Sequence, residues 1–532
     1  MSLERTEGVL RRAGASEASL VAIPGEVVLG VRNGKRDWEL LAWTAPGGAM
    51  PVDLCGETAE LDGGTLLVGP RDHENAVALR ALVPWLRPCL LGDATSFGFG
   101  DRLGIAGPGH VAALRANPGL APVLAQQSAR ELGRTGRTVA DVVDAATFGA
   151  LASGWRDGYS ADADHLQTIA EVDGGIAAAV TMFTADPKAI VPDLAADAPR
   201  TAIDAAFERV PWAALEDSQA AFEERYPDRL DLGDGMLSLS GSTIRAAAAR
   251  FGAAVVKVVE MYRHVVAALG EAGFVFEVAV DEIGHPTTPA DHVYIATELR
   301  RLGVRWQSFA PRFVGEFEKG IDYLGDSVAF AEDIGRHARI AEALGPYKIS
   351  VHSGSDKFSI YELLAERTRG RFHLKTSGTS YLAALGTLAE TEPELFRRVW
   401  AVASKAYAAS RASYRVSAVI NGIAAPERLS REQLATLLDD PNSREILHVT
   451  YGAVLHGVNG CSEPPDRDGV ANGRIDLGAA VREAVWRHRE AYWAGLAQHI
   501  GRHLRPIAAQ QWRRRSEPGD EVPSVARPPL RR

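Results

Sequence analysis

Residues 347–356 read YKISVHSGSD, and this stretch decides the fold class. Its apolar residues, Ile349 and Val351, alternate with polar ones, which is the two-residue period of a β-strand. The apolar side chains are expected to pack against covering helices, so the polar ones should point into the interior of a closed barrel. These polar residues are Lys348, Ser350 and His352.

The same alternation occurs in two other segments, RFHLKT (371–376) and FEVAVDE (276–282). Their expected inward residues are Arg371, His373, Lys375, Glu277, Ala279 and Asp281. A barrel whose interior were only structural would fill this space with Val, Ile and Leu, because burying an ionisable group without a partner is costly. The pattern therefore indicates a functional site inside the barrel.

Strand-like segments recur along the chain from about residue 95 onward, and most are followed by a helical pattern. They are SFGFGDRLG (96–104), APVLAQQSA (121–129), WRDGYSADADH (155–165), AAAVTMFTAD (177–186), FVFEVAVDE (274–282), VRWQSFAP (304–311), YKISVHSGSD (347–356) and RFHLKTSGTS (371–380). Eight strands alternating with helices predict an α/β fold, a (β/α)8 barrel of the TIM type. Its active site should lie at the carboxyl ends of the strands.

The remaining segments predict additions to this barrel. Residues 1–90 contain short apolar runs and are expected to form a small β-rich N-terminal domain. The catalytic barrel is expected over 91–480, with an acidic insertion at 187–240. A C-terminal helix is predicted over 481–515, and the composition of 516–532 is typical of a disordered tail.

Composition narrows the class of partner. The 532 residues carry a formal net charge of −10, which argues against a nucleic-acid or anionic-membrane partner, since both require a basic face. Three widely spaced cysteines predict a reducing compartment and no disulfide framework. Without a signal-peptide pattern or a long apolar run, a cytoplasmic protein with no membrane span is expected. Nothing in the sequence fixes an oligomeric state.

Three histidines end predicted strands: His165, His352 and His373. Neutral imidazole is a common metal ligand, and three imidazoles with one open position make a catalytic site for a divalent ion. Glu277 and Asp281 are both expected inward, so one is a candidate ligand and the other a candidate base. The alternative is that each histidine is a hydrogen-bonded core or loop residue.

The segment DADHLQT (162–168) places Asp164 next to His165 at a strand end. This Asp-His pair resembles the one found in the zinc-dependent class II aldolases. In those enzymes the histidine binds the metal, and the adjacent aspartate transfers a proton to or from a substrate hydroxyl. VHSGSDK (351–357) is similar to the His-Gly-Gly-Ser segment of those enzymes, although Ser353 interrupts the glycines.

Glu131 is a further candidate catalytic carboxylate. It lies just past the second strand in AQQSARELG (125–133), with Ser128 and Arg130 beside it. The alternative interpretation is a residue of a helix's first turn, where the helix dipole favours negative charge.

Residues 107–112 (GPGHVA) fit a dinucleotide-binding G-x-G-x-x-A pattern. However, Pro108 removes a backbone N–H at the turn where the phosphates would bind. No NAD is therefore expected.

Several segments together resemble the D-tagaturonate 3-epimerase (fructuronate epimerase) family. They are SFGFGDRLGIAGPGH (96–110), AQQSARE (125–131), DADHLQT (162–168), MFTADP (182–187), VDEIGHPTTPADH (280–292), FAPRFVGEFEKGIDY (309–323), KISVHSGSDKFSIY (348–361) and RFHLKTSGTSYL (371–382). The resemblance implies a ketohexuronate epimerase that uses a divalent ion, with zinc, manganese, nickel and cobalt all open. The residues that match the family's motifs are Asp164, His165, Glu131, Ser128, Thr184, His352 and His373.

The implied substrate explains the ionisable interior. The inverted carbon lies β to the ketone, so its C–H is not acidified, and a retro-aldol route is expected instead of simple proton exchange. A substrate carboxylate needs cations; the candidates are Lys348, Lys357 and Lys375, with Arg102 and Arg130 behind them.

Two alternatives stay open. One is an aldolase or aldose–ketose isomerase on the same barrel. The other is a non-catalytic sugar-binding protein, against which the dense ionisable interior counts, because such binders use aromatic stacking faces. In every case the expected partner is a small sugar acid or ketose.

Overall fold

Eight parallel strands form a closed barrel in the computed structural model, which describes residues 3–195, 197–233, 235–457 and 476–515. The predicted tail at 516–532 lies outside the described residues. The strands are β1 (Val21–Ile23), β2 (Val27–Asn33), β3 (Trp38–Thr44), β4 (Glu57–Leu61), β5 (Gly64–Pro70), β6 (Ser96–Gly100), β7 (Ala121–Ser128), β8 (Ser160–Leu166), β9 (Met182–Ala185), β10 (Arg229–Asp231), β11 (Met236–Ser238), β12 (Val275–Ala279), β13 (Ser308–Ala310), β14 (Lys348–Val351) and β15 (Phe372–Lys375).

Helices cover the barrel and extend it at its carboxyl-terminal side. They are α1 (Leu3–Arg12), α2 (His73–Leu82), α3 (Gly107–Ala116), α4 (Ala129–Thr135), α5 (Val139–Ser153), α6 (Ile169–Ala177), α7 (Arg200–Phe207), α8 (Gln219–Arg225), α9 (Gly241–Leu269), α10 (Pro289–Arg301), α11 (Ser327–Leu344), α12 (Tyr361–Arg367), α13 (Thr379–Thr391), α14 (Pro393–Ser410), α15 (Arg431–Thr436), α16 (Pro441–Val449), α17 (Tyr451–Leu455), α18 (Leu477–Arg487) and α19 (Arg489–Arg515). The region predicted as one helix over 481–515 thus contains two, α18 and α19.

The barrel order is β12-β13-β14-β15-β6-β7-β8-β9, and β9 pairs with β12 to close it. Seven of the eight strands lie within the predicted segments, and β8 extends one residue beyond its segment, to Leu166. Each strand is followed by at least one helix, so the predicted (β/α)8 fold is confirmed. β8 begins at Ser160 rather than Trp155, because the Trp155 indole donates to the Gly158 carbonyl in a turn where Gly158 has φ +80°.

Side-chain alternation in the barrel follows the prediction. Ile349 and Val351 are buried under the helices, while Ser350 pairs in register with His373 on the next strand. Arg371 departs from it: the strand begins one residue later, and the guanidinium binds Glu342 on the exposed surface.

Capping boxes start three of the helices around the barrel, α5, α6 and α10. Thr138, Thr168 and Thr288 each accept a hydrogen bond from a backbone N–H three residues later, and the acidic side chain at that position accepts one from the threonine N–H. Such caps satisfy N–H groups that a helix start leaves unpaired. The segments that lead into these helices are therefore anchored at the helix start, which positions the side chains that they carry.

The N-terminal residues form a five-stranded antiparallel sheet in the order β1-β2-β3-β5-β4, as the apolar runs predicted. The segment expected as an insertion contains α7, α8 and the β10–β11 hairpin before the long helix α9.

The glycine pattern at residues 107–112 has a packing explanation. A Cβ atom on Gly107 would lie 2.7 Å from the Cα of Gly149, so both glycines are needed where α3 crosses α5. No helix among the described residues is long and apolar enough to cross a membrane.

Candidate active site

A cleft at the carboxyl ends of the barrel strands collects most of the predicted site residues. It encloses about 400 Å³, counting its opening to solvent, which is within the usual range for small-molecule sites. Its lining residues are Arg102, Gln126, Ser128, Arg130, Glu131, Asp164, His165, Lys319, His352, Ser353, Lys375, Thr376, Ser377 and Tyr414.

Two imidazoles meet at the inner side of this cleft. His165 lies one residue before the end of β8 and has φ +55°, a left-handed conformation that non-glycine residues rarely adopt. Its Nδ1 lies 2.9 Å from Oδ2 of Asp186, and its Nε2 lies 3.1 Å from Nδ1 of His352. The other nitrogen of His352, Nε2, lies 2.7 Å from Oε1 of Glu277.

The two carboxylates settle which nitrogen of each neutral ring carries the proton. Asp186 and Glu277 accept hydrogen bonds, so the protons lie on His165 Nδ1 and His352 Nε2. The unprotonated nitrogens then face each other, and their lone pairs repel unless a positive charge lies between them. An outer carboxylate that orients each ring in this way is typical of metal-binding histidines.

Carboxylate oxygens complete the group of donors. Oδ1 of Asp281 lies 3.1 Å from His352 Nδ1 and is buried without a hydrogen-bond partner among the described residues. Oδ1 of Asp164 lies 3.9 Å from His165 Nε2. An unpaired buried oxygen and two facing lone pairs fit a divalent cation held by nitrogen and oxygen ligands.

The charges around His352 favour a positive charge at the same position. Burial by itself lowers the pKa of His352, but the carboxylates of Asp281 and Glu277 outweigh burial, and that pKa is raised to about 10. The site therefore attracts either a proton or a metal cation, and the donor set is one that a metal would satisfy.

Lys375 lies at the bottom of the cleft, where it is surrounded by acidic side chains. Its Nζ is 2.7 Å from Oδ2 of Asp162, 2.7 Å from Oδ1 of Asp164 and 2.8 Å from Oε1 of Glu277, and it donates to the hydroxyl of Thr184. Burial raises the pKa of Asp164, yet the Lys375 ammonium and the two imidazoles outweigh burial and hold that pKa below its usual range. Asp164 is therefore ionised at neutral pH.

Glu131 lies across the cleft and is held by Arg102. Its Oε1 is 2.7 Å from the buried guanidinium, which also donates to the carbonyl oxygen of His448 and lies over the ring of Tyr451 with 3.7 Å to its centroid. The hydroxyl of Ser128 accepts from the Glu131 N–H and caps α4. Glu131 is thus both a first-turn helix residue and a cleft carboxylate, so the two interpretations of it are compatible.

Several predicted site residues lie away from the cleft. Lys348 lies at the amino-terminal end of its strand, where Nζ donates to the carbonyl oxygens of Gly92 and Ala94. Lys357 is fully buried and donates to three backbone carbonyls. Neither ammonium is available to a substrate.

Three further residues have supporting positions inside the barrel. His373 is buried one layer below the cleft, with Nδ1 2.9 Å from the Ser96 hydroxyl, so for it the core interpretation holds. Glu277 lies behind His352 and orients that ring rather than joining the converging donors. Thr184 donates to Asp162 and contacts Lys375, which places it in the layer under the cleft.

The sequence reasoning did not find Lys319, Tyr414, Asp186 and Glu282. Lys319 and Tyr414 are on irregular segments, which have no periodicity to read. Asp186 directly follows β9 in the segment MFTADP, and its position just past a strand end was the available signal. Glu282 binds Arg130, with 2.6 Å between Oε1 and NH2.

Two other groups of potential ligands are already neutralised. Asp186 and Glu282 both contact the ammonium of Lys188. Near the C-terminus, His503 donates from Nδ1 to the His499 carbonyl and accepts at Nε2 from the N–H of Asp356. These nitrogens have no free lone pair for a metal.

The fold and the site define an enzyme: a (β/α)8 barrel with paired carboxylates and converging imidazoles in a cleft of small-molecule size. A family model for tagaturonate epimerase (UxaE) matches residues 50–507. The tagaturonate/fructuronate epimerase of Thermotoga maritima is 37% identical over 440 residues, which cover 82% of this chain and 85% of that protein.

Solved structures agree with this match. The two-glycerol complex of fructuronate-tagaturonate epimerase UxaE from Cohnella laeviribosi has a TM-score of 0.84 and 31% identity, covering 94% of this chain and 99% of that one. The native structure of the same protein has a TM-score of 0.83 and 32% identity, with 95% and 99% covered. The chain belongs to the tagaturonate epimerase family, which confirms the resemblance read from the sequence and the expectation of an isomerase.

Proposed function

We propose that this chain interconverts fructuronate and tagaturonate by a retro-aldol reaction followed by aldol addition. The observation that carries the proposal is that Asp164 and Glu131 line the same cleft as His165 and His352. The relatives' names supply the substrate pair, and the cleft supplies groups that suit the chemistry.

The position of the inverted carbon selects the reaction. Counted from the carboxylate, the ketone is C5 and the inverted carbon is C3, so removal of the C3 proton gives no resonance-stabilised anion. In the retro-aldol step, a base takes the proton of the C3 hydroxyl, the C3–O bond becomes a carbonyl, and the C3–C4 electrons pass to C4 and the C5 oxygen. Rotation of the C3 aldehyde and re-addition of C4 to its other face invert the centre.

Asp164 is the proposed base for the C3 hydroxyl. Its pKa is held low, as described above, so it is ionised, and the contact with Lys375 uses Oδ1. Oδ2 forms no hydrogen bond with the described residues and is left for the substrate. Glu131, fixed by Arg102, is proposed to exchange the proton when the aldehyde presents its other face.

The proposed ligands of a divalent cation are His165 Nε2, His352 Nδ1 and a carboxylate oxygen of Asp164, whose ligand atoms lie within 4.8 Å of one another. Asp281 Oδ1, beside His352 Nδ1, is a further proposed ligand. Zinc, manganese, nickel and cobalt all accept this mixture of nitrogen and oxygen donors. When bound, such an ion supplies a Lewis acid for the negative charge that develops during carbon–carbon cleavage.

Product analysis with labelled substrate tests the proposal. Purified protein, reloaded with each metal in turn, is incubated with fructuronate that carries deuterium at C3. The expected product is tagaturonate that keeps its label, because the C3–H bond never breaks. Accumulation of three-carbon fragments would indicate an aldolase instead, and loss of the label to solvent would exclude the retro-aldol route.

A further inference from the structure

We propose that Lys319 binds the substrate carboxylate and thereby makes the enzyme select a hexulosonate over the neutral ketohexose of the same shape. This inference rests on the proposed function, because it assigns one part of that substrate to one residue of the cleft. Lys319 lies in the loop between β13 and α11, on the carboxyl-terminal side of the barrel.

Four lysines and arginines line the cleft in the part of the chain that the structure describes, and three of them already bind carboxylates. Arg102 binds Glu131, and Lys375 binds Asp164 together with two deeper acids. Arg130 binds Glu282 through NH2 and lies over the ring of Tyr414. Taking a substrate carboxylate at Arg102 or Lys375 would leave a protein carboxylate without its partner in a poorly hydrated place, which is costly. At Arg130 a substrate carboxylate would compete with Glu282, although Glu282 would keep its contact with Lys188.

Lys319 differs from these three in its partner. Its ammonium donates to the hydroxyl of Ser353 and forms no ion pair with a carboxylate in the part of the chain that the structure describes. A substrate carboxylate would therefore gain a charge-assisted hydrogen bond from Lys319 while displacing only a neutral contact. Ser353 directly follows His352, so this cation lies beside the converging imidazoles.

The backbone on both sides of Lys319 is anchored. The carbonyl of Glu318 accepts from the buried ammonium of Lys357, with 2.7 Å between the atoms, and the carbonyl of Gly320 accepts from Arg444 at 2.6 Å. Lys357 also donates to Ser355, which ties this loop to the one that carries His352. The ammonium is thus presented from a fixed loop, which lowers the entropic cost of binding an anion.

The test compares acidic and neutral substrates in matched variants. Lys319→Met removes the charge at nearly constant length, Lys319→Arg keeps a cation, and Lys405→Met removes a lysine charge from the exposed face of α14 as a control. Each protein is assayed with fructuronate and with fructose, which carries a hydroxymethyl group where fructuronate has its carboxylate. Fructose is also tested as a competitive inhibitor, so that its binding is measured even without turnover.

Lys319→Met is expected to lower kcat/KM for fructuronate by about 10- to 100-fold, mainly through KM, as for the loss of one hydrogen bond to a charged group. Binding of fructose should be unchanged, Lys319→Arg should recover most of the loss, and Lys405→Met should match the wild type. An equal loss of kcat/KM or binding on both sugars, or no loss on either, would overturn the assignment of Lys319. In that case, turnover of fructuronate by the wild-type enzyme would still support the proposed function. A wild-type enzyme that converts fructose but not fructuronate would overturn both.

Discussion

Nε2 of His165 lies 3.1 Å from Nδ1 of His352, and in the neutral rings neither nitrogen carries a proton. The cause lies on the outer sides of the rings, where Asp186 and Glu277 accept hydrogen bonds from the ring N–H groups. Asp186, just after β9, and Glu277, in β12, thus orient the two rings so that their unprotonated nitrogens face each other. This relationship is the strongest structural reason to expect a cation in the cleft.

The first prediction concerns that cation. His165→Ala and His352→Ala should each lose bound divalent metal while the protein stays folded, because each change removes one of the converging nitrogens. His373→Asn is the matched control: it changes a third barrel histidine that contacts Ser96 and should keep its metal. Metal content is measured by mass spectrometry after dialysis and folding by circular dichroism. Stoichiometric metal in either alanine variant would remove that histidine from the ligand set.

The second prediction concerns proton transfer. Asp164→Asn and Glu131→Gln keep the shape of each side chain but remove its basicity, so each should lower kcat by about 10²- to 10⁴-fold, the usual contribution of a general base. Bound metal and thermal stability should change little. Rates are measured by resolving the two hexulosonates from each other. Near-normal turnover in one variant would restrict the proton transfer to the other carboxylate.

The third prediction concerns Lys375 as a structural cation. Lys375→Met leaves three buried acids, Asp162, Asp164 and Glu277, without their shared ammonium. Removing one partner of a buried pair costs about 3–5 kcal/mol of unfolding free energy. Lys348→Met is the matched control, because that buried lysine contacts only uncharged acceptors and its loss should cost about 1–3 kcal/mol. Denaturant unfolding measures both, and equal losses would contradict the charge argument.

The fourth prediction is a pH dependence of stability that originates away from the cleft. Burial, together with the neighbouring Glu318 carboxylate, raises the pKa of Glu445 from its ordinary 4.5 to about 8. The folded state therefore holds a proton that the unfolded state releases, so the unfolding free energy should fall as the pH rises from about 4.5 to about 8 and then level off.

Glu445→Gln should remove this slope and raise stability at alkaline pH, since the neutral amide oxygen still accepts from the Ala418 N–H. Glu74→Gln, at an exposed position of α2, serves as the control. Denaturant midpoints are compared across the same pH range. If the Glu445→Gln protein keeps the wild-type slope, the linkage belongs to another group.

The fold was predictable because its signals are local. Alternation in segments such as 348–352 and 372–375 indicates which side chains face the barrel interior, and the polar strand ends indicate the active-site end. Strand bounds were less accurate where a turn intervened, as at Gly158. Alternation shows which face of the sheet a side chain is on, but not how far along the barrel axis it lies. This explains why Lys348 and His373 were predicted in the active site although both lie below the cleft.

Lys348 and His352 share an inward face, but a strand rises about 3.3 Å per residue. Lys348 therefore lies about 13 Å below His352, at the opposite end of the barrel. His373 lies two residues before Lys375 and is below the cleft for the same reason. Lys319 was missed because an irregular loop has no period, and only the closed barrel brings it to Ser353.

The pairing of β15 with β6 has a consequence for how the chain folds during synthesis. This seam joins His373 to Ser96, residues separated by 277 positions, so the first barrel strand made must wait for the last barrel strand before its second edge is paired. Closing so long a loop costs conformational entropy before the contacts between the two strands can form, and this slows folding. A nascent chain that ends before β15 exposes two unpaired strand edges, which are sites for association with other chains. We therefore expect truncated translation products of this protein to aggregate, not merely to be inactive.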